Sequence, residues 1–187
     1  MSNHLPTLYQ QFIHLSRYSR FLWDQGRRET WDETISRFFN FFQEHLKEKH
    51  KHDISNIRKE LEEAVLSQKV MPSMRCVMTA GEALERNHVA AYNCSFLAVD
   101  DPKAFDEALL VLMCGTGVGF SVERQFIQKL PEVPDQLFES ETTIVVKDSK
   151  EGWAKAYRQL LALLWSGEIP QWDIGLVRPA GSRLKTF

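Results

Sequence analysis

Tyr92-Asn93-Cys94-Ser95-Phe96-Leu97-Ala98-Val99, then Asp100-Asp101-Pro102, then Gly115-Thr116-Gly117-Val118-Gly119-Phe120, is the stretch that decides the fold. Tyr92–Val99 reads as a short buried strand. Asp100-Asp101-Pro102 opens a helix: a carboxylate caps the free amides, and proline, with no N–H to lose, takes the first turn. Phe105, Ala108, Leu109, Leu112 and Met113 supply that helix's buried stripe. The glycines of 115–119 break it, and Phe120–Val122 predicts the next strand. Strand, helix, strand in this order predicts a βαβ unit with parallel strands.

The pattern recurs downstream. Thr142–Val146 is β-branched and predicts a strand. Asp148-Ser149-Lys150-Glu151 opens a helix whose face is Trp153, Ala156, Tyr157, Leu160, Leu161, Leu164 and Trp165, and Gly167 ends it. Gln171–Val177 predicts a last strand, and Gln128–Glu141, rich in proline and acid, predicts a surface loop. Upstream the chain is helical. Thr30-Trp31-Asp32-Glu33 forms a capping box, and Trp31, Ile35, Phe38, Phe39, Phe42 and Leu46 recur at helical spacing to about Glu48. The charged, His-rich run 47–53 predicts a solvated connection, and Ile57, Leu61, Ala64 and Val65 predict a second helix. Pro72 and Gly81 bracket a loop-like segment. The expectation is an α/β chain with a helical region over 1–70 and alternating strands and helices over 71–187.

Composition narrows the function. The chain has 187 residues, 43% hydrophobic, with 23 basic and 25 acidic side chains and a formal net charge of -2. An apolar fraction of this size supports a core. Near-neutral charge argues against a nucleic-acid coat or a membrane-surface protein. The longest apolar runs, Ala108–Met113 and Leu160–Trp165, fall far short of the roughly 18–20 residues of a spanning helix. Met1-Ser2-Asn3-His4 has no signal-peptide pattern. Cys76, Cys94 and Cys114 are odd in number and lack CxxC spacing, which disfavours a disulfide scaffold and a structural zinc site and makes a reducing, cytoplasmic compartment the expectation. His4, His14, His45, His50, His52 and His88 follow no HExxH pattern, and no metal site is expected.

Cys94 is the residue with candidate chemistry. A cysteine on a strand between Asn93 and Ser95 can face a polar cavity, as a thiolate nucleophile or half of a redox pair. The alternative is a buried thiol acting as a small hydrophobe, the role expected of Cys114. The 115–119 glycines could bring backbone amides near a phosphate. They lack the Gly-Lys-Ser/Thr of a Walker loop and follow a helix instead of a strand, so a helix cap with a tight turn is the plainer role. Arg27-Arg28 and the charges around 47–51 read as solvated faces.

Taken together the segments resemble the N-terminal portion of an adenosylcobalamin-dependent (class II) ribonucleoside-triphosphate reductase of the monomeric type. The residues that carry the resemblance are Gly26-Arg27-Arg28-Glu29-Thr30-Trp31, Met71-Pro72-Ser73-Met74-Arg75, Asn93-Cys94-Ser95-Phe96 and Gly115–Phe120. They continue with Thr143–Val146, Asp148-Ser149-Lys150-Glu151-Gly152-Trp153, and Val177-Arg178-Pro179 with Leu184-Lys185-Thr186-Phe187. The resemblance implies a ten-stranded α/β barrel, of which this chain would hold the first strands and helices. It implies conversion of ribonucleoside triphosphates to 2′-deoxyribonucleoside triphosphates, started by a thiyl radical that adenosylcobalamin generates. Cys94 matches the first of two reducing cysteines. Ser73 and Gly117 match positions near the substrate, and Asp101 falls where related reductases bind a deoxynucleoside triphosphate effector.

The same resemblance places the radical cysteine, the second reducing cysteine and the cobalamin site beyond Phe187, so a C-terminal remainder is expected as partner, with a thioredoxin-type reductant and no nucleic acid or membrane. The 129–142 loop looks short for a monomeric member, whose insertion in this part helps form the effector site. The competing expectation is a non-catalytic nucleotide-binding or interaction domain that keeps a reductase-like half-barrel.

Overall fold

The computed structural model describes residues 4–182, which fall into two compact units, one up to Tyr92 and one from Asn93. The motif residues Leu184-Lys185-Thr186-Phe187 lie outside the described residues.

The first unit is helical. Helix α1 (Leu8–Ile13) starts at a Thr7–Gln10 capping box and runs into a π-helical turn, His14–Tyr18. A small antiparallel hairpin follows, β1 (Phe21–Leu22) with β2 (Arg27–Arg28). Helix α2 (Trp31–His50) begins at the Thr30–Glu33 box that the sequence predicts, with both reciprocal bonds formed. It then runs two residues past the expected end, through the charged segment, to Lys51 in the left-handed region. Exposed lysines tolerate helix as readily as coil, and cations suit a helix C-terminus. Helix α3 (Arg58–Leu66) pairs with α2. Trp31, Ile35, Phe39, Val65 and Val77 form one core, and Phe41, Ala80, Leu84 and Ala90 a second. The segment between Pro72 and Gly81 is not a loop but mostly helix, α4 (Met74–Thr79). Six residues are too few to display a helical stripe, which hides such a helix from pattern reading. Helix α5 (Glu82–Arg86) and a 3₁₀ turn, His88–Ala91, complete the unit.

The second unit contains the two expected crossovers. Strand β3 (Cys94–Ala98), helix α6 (Lys103–Met113) and β4 (Gly117–Ser121) form the first, with β3 and β4 parallel. A short helix, α7 (Arg124–Ile127), leads to the second: β5 (Phe138–Val145), α8 (Lys150–Trp165) and β6 (Glu168–Asp173), again parallel. Several strands differ from expectation. Strand β3 is shorter than Tyr92–Val99 and exposed on its Cys94–Phe96 side instead of buried, β4 starts at Gly117, β5 takes in the last residues of the predicted loop, and β6 runs over Glu168–Asp173 instead of Gln171–Val177. Pairing with a neighbouring strand recruits Gly117–Gly119 and Phe138–Glu141 despite their weak strand propensity. Gly115, at φ +85°, stops α6 as a left-handed cap.

Helices α6 and α8 pack together. Asp106, 4% exposed, accepts from Arg158 at 2.7 Å, and Phe105 and Trp165 lie 6.0 Å apart. Ile144, Val146 and Ala156, with Leu160 and Leu163, join α8 to β5. Gly152 in the first turn of α8 answers to close approach: a Cβ there would stand 2.8 Å from that of Lys147 and collide with the Lys147 carbonyl. The fold is α/β with small two-stranded sheets.

Candidate functional site

The parallel register of β3 and β4 sets the site. Cys94 faces Gly117, Ser95 faces Val118 and Phe96 faces Gly119 across the pair. Side chains alternate along a strand, so Cys94, Phe96, Gly117 and Gly119 share one side. That side is open: Cys94 is exposed and Phe96 is 70% exposed. The Gly117 amide donates to the Asn93 carbonyl at 2.9 Å, and the Ser95 hydroxyl donates to the Gly117 carbonyl at 3.2 Å. The strip beside the thiol is therefore bare backbone, pinned on both sides of Cys94.

The glycines themselves are informative. Neither Gly117 nor Gly119 has a positive φ. A Cβ at Gly117 would come no nearer than 3.5 Å to the Asn93 oxygen, and one at Gly119 no nearer than 3.6 Å to the Ser95 oxygen. Both are ordinary contacts, so the described residues do not require glycine at either position.

The structure thus brings Cys94 and Gly117 together, with Phe96 and Gly119 added. Their alternation with Cys94 on the strand was the available signal. Asp101 lies beyond the other end of β3. Its Oδ1 accepts from the Lys103 amide at 2.8 Å and its carbonyl from the Ala104 amide at 2.9 Å, the capping role expected of it. Cys114 is buried, as expected of a core thiol. Ser73 belongs to the first unit. It is exposed at the start of α4, and its Oγ accepts from the Cys76 amide at 3.4 Å, which leaves its own proton to donate. Among the described residues no group of three or more His, Cys, Asp or Glu could hold a metal ion, and no helix is long and apolar enough to cross a membrane.

Arg27-Arg28 is more than a solvated face. Arg28 donates to the Ser19 carbonyl at 2.7 Å, and Arg27 pairs with Glu33 at 2.7 Å, holding its carboxyl down to about 2. Beside them Glu29, which sequence alone did not single out, is 4% exposed. The signal was its place directly before the Thr30 cap, with Arg37 two helical turns on.

No family model matches the chain. A putative adenosylcobalamin-dependent ribonucleoside-triphosphate reductase from Mycobacterium phage D29 is 24% identical over 95% of the chain and 29% of its own length. An adenosylcobalamin-dependent ribonucleoside-triphosphate reductase from Lactobacillus helveticus is 24% identical over 91% of the chain and 32% of its own length. A crystal structure of a B12-dependent (class II) ribonucleotide reductase superposes with a TM-score of 0.77 at 20% identity, covering 95% of this chain and 34% of that one. The chain is similar to part of a class II ribonucleotide reductase. The resemblance carried by the motifs is therefore met in sequence and in fold. The chain spans about a third of the length of the reductases it matches. The Lactobacillus alignment runs over 238 positions, more than the whole chain, so that reductase carries residues between the matched segments that are absent here.

Proposed function

We propose that this chain forms the N-terminal part of a ribonucleotide reductase acting on ribonucleoside triphosphates, and that Cys94 is one of its two reducing thiols. The observation that carries this is the open side of β3–β4: an exposed thiol beside glycines that nothing in the described fold requires. Bare backbone next to a thiol gives a ribose room to approach within reach of sulfur. The Cys94 thiol would protonate the departing 2′-hydroxyl, which leaves as water. In the net step the C2′–O bond breaks, a C2′–H bond forms, and two thiols become one disulfide. The second thiol belongs to the remainder of the reductase, as does the radical cysteine, and a thioredoxin-type dithiol would reopen the disulfide.

Gly117 would lie along the substrate, the Ser73 hydroxyl would donate to it, and Asp101 would accept a ribose hydroxyl of a deoxynucleoside triphosphate effector. Residues 1–70 form the helical region in this reading. Residues 71–187 are the first part of a ten-stranded barrel whose other strands lie outside this chain. The exposure of Phe96, Phe120, Phe138 and Trp172, each 64–70%, supports such a cover. The chain is inactive by itself, and its compartment is the cytoplasm.

The described residues do not build a site for adenosylcobalamin. His14 is buried against Thr34, and His45, His50 and His88 lie ring against ring near the end of α2. Cys94→Ser in the complete reductase tests the assignment: multiple turnover with a dithiol reductant should disappear, and near-normal turnover would remove Cys94 from the site.

A further inference from the structure

The first unit holds a buried charge cluster to which the proposed reaction gives no role. Its centre is the Glu29 carboxylate, which accepts from Arg37 Nε at 2.7 Å and Nη2 at 3.0 Å, from the Arg20 amide at 3.1 Å and from the Thr34 hydroxyl at 3.1 Å. Arg37 then reaches on. Its Nη1 donates to the Val77 carbonyl at 3.1 Å and the Ala80 carbonyl at 2.9 Å, and Arg20 Nη2 donates to the same Ala80 oxygen at 2.7 Å. Both carbonyls belong to the C-terminal end of α4, where the last carbonyls lack partners within the helix. Two guanidinium groups take the place of the usual cap, and positive charge suits that end of a helix.

Glu29 supports the arrangement. Burial and the nearby Arg37 both act against the charge on Arg20, and the carboxylates of Glu29 and Glu82 offset part of this. The turn after α4 is shaped around the same group: a Cβ on Gly81, at φ +107°, would stand 3.2 Å from Arg20 Nη1. Helix α4 is only six residues, about 9 Å long. Ser73 stands at its other end, so an anchor on its carbonyl end also fixes Ser73.

We propose that Glu29 is a positioning residue: through Arg37 and Arg20 it clamps the carbonyl end of α4 and sets where the Ser73 hydroxyl stands for a ribonucleoside triphosphate. This rests on the reading of Ser73 as a substrate contact given above.

The test is peptide-level hydrogen exchange on the protein isolated from its own cells. It compares wild type, Glu29→Gln, Arg37→Lys and Ser73→Ala, each with and without a mixture of the four ribonucleoside triphosphates. Arg37→Lys keeps a positive charge but cannot bridge the carboxylate and both carbonyls, so it serves if Glu29→Gln fails to accumulate. Glu29→Gln and Arg37→Lys should speed exchange over 74–81 by about tenfold or more, the loss of one charge-assisted bond, while α3 stays within about twofold of wild type. Triphosphate protection of 74–81 should be present in wild type and lost in all three variants. Acceleration spread evenly over α2 to α5 would overturn the proposal, as would local loosening with triphosphate protection intact. Wild type showing no triphosphate protection of 74–81 would overturn the Ser73 reading itself, and the positioning role with it.

Discussion

Replacing Thr34 by valine should destabilise the first unit far more than the loss of one oxygen suggests. Thr34 is 0% exposed, and its hydroxyl lies 3.1 Å from Glu29 Oε2 and 2.9 Å from His14 Nε2. The hydroxyl has one proton. The carboxylate can only accept, so that proton goes to Glu29, and His14 must donate its Nε2–H to the Thr34 oxygen. Valine has the same shape and neither function. It leaves the His14 N–H without an acceptor inside the protein, about 1–3 kcal/mol, and removes a bond to a charged group, about 1.5–3 kcal/mol. Added apolar character returns part of this, so the net loss is about 2–4 kcal/mol. With a urea slope of about 2 kcal/mol/M, the midpoint followed through exchange of α2 peptides should drop by about 1–2 M. Thr34→Ser keeps the hydroxyl and loses a methyl group, so it should cost only about 1 kcal/mol. A valine midpoint within about 0.3 M of wild type, or a serine variant as unstable as valine, would refute the chain of donors.

Stability of the first unit should also fall on acidification in two phases. Burial pushes His14 below its ordinary 6.5. The folded state therefore prefers the neutral ring, the unfolded chain takes up more protons, and stability present above about 6.5 is lost as pH falls below it. Burial acts to raise the Glu29 carboxyl, but Arg37, the Arg20 amide and Thr34 outweigh it and hold it below 4.5, so a second loss begins as pH drops past that value. His14→Phe should abolish the upper phase and keep the lower one in pH-dependent urea melts; persistence of the upper phase would assign it elsewhere. Gly152→Ala should destabilise the second unit by about 1–3 kcal/mol, since the new methyl meets the Lys147 backbone, and a neutral result in a urea melt would contradict the contact. Gly117→Ala should leave that same melt within about 0.5 kcal/mol, because its Cβ has room, yet weaken turnover of the complete reductase; a large loss of stability would mean that the glycine serves the fold.

Much of this was legible in the chain because local rules and tertiary packing agree there. The Thr30–Glu33 box, the Asp101 cap and the parallel β3–α6–β4 and β5–α8–β6 crossovers all follow from spacing and turn chemistry, whereas the apolar run around Cys94 predicts a buried strand and the fold leaves its Cys94–Phe96 side open. What stayed hidden depends on partners distant in sequence. Helix α4 is too short to show a period, and its carbonyl end is held by Arg20 and Arg37, 60 and 43 residues from the Ala80 oxygen they share. Strand β4 begins on glycines that only pairing with Asn93–Phe96 makes a strand. Glu29 sits in a run of charges whose surface character is the sound default, and only the fold shows it buried.

The most direct measurement is deoxyribonucleotide formation by the native protein, captured from its own cells with an antibody to this chain and supplied with ribonucleoside triphosphates, adenosylcobalamin and a dithiol. The captured wild-type protein should form 2′-deoxyribonucleoside triphosphates over many turnovers. Its Cys94→Ser counterpart should not, and neither should the purified 187-residue chain. Sustained reduction by the Cys94→Ser protein, or by the purified chain unaided, would contradict the assignment of this chain as the incomplete, Cys94-bearing front of a reductase.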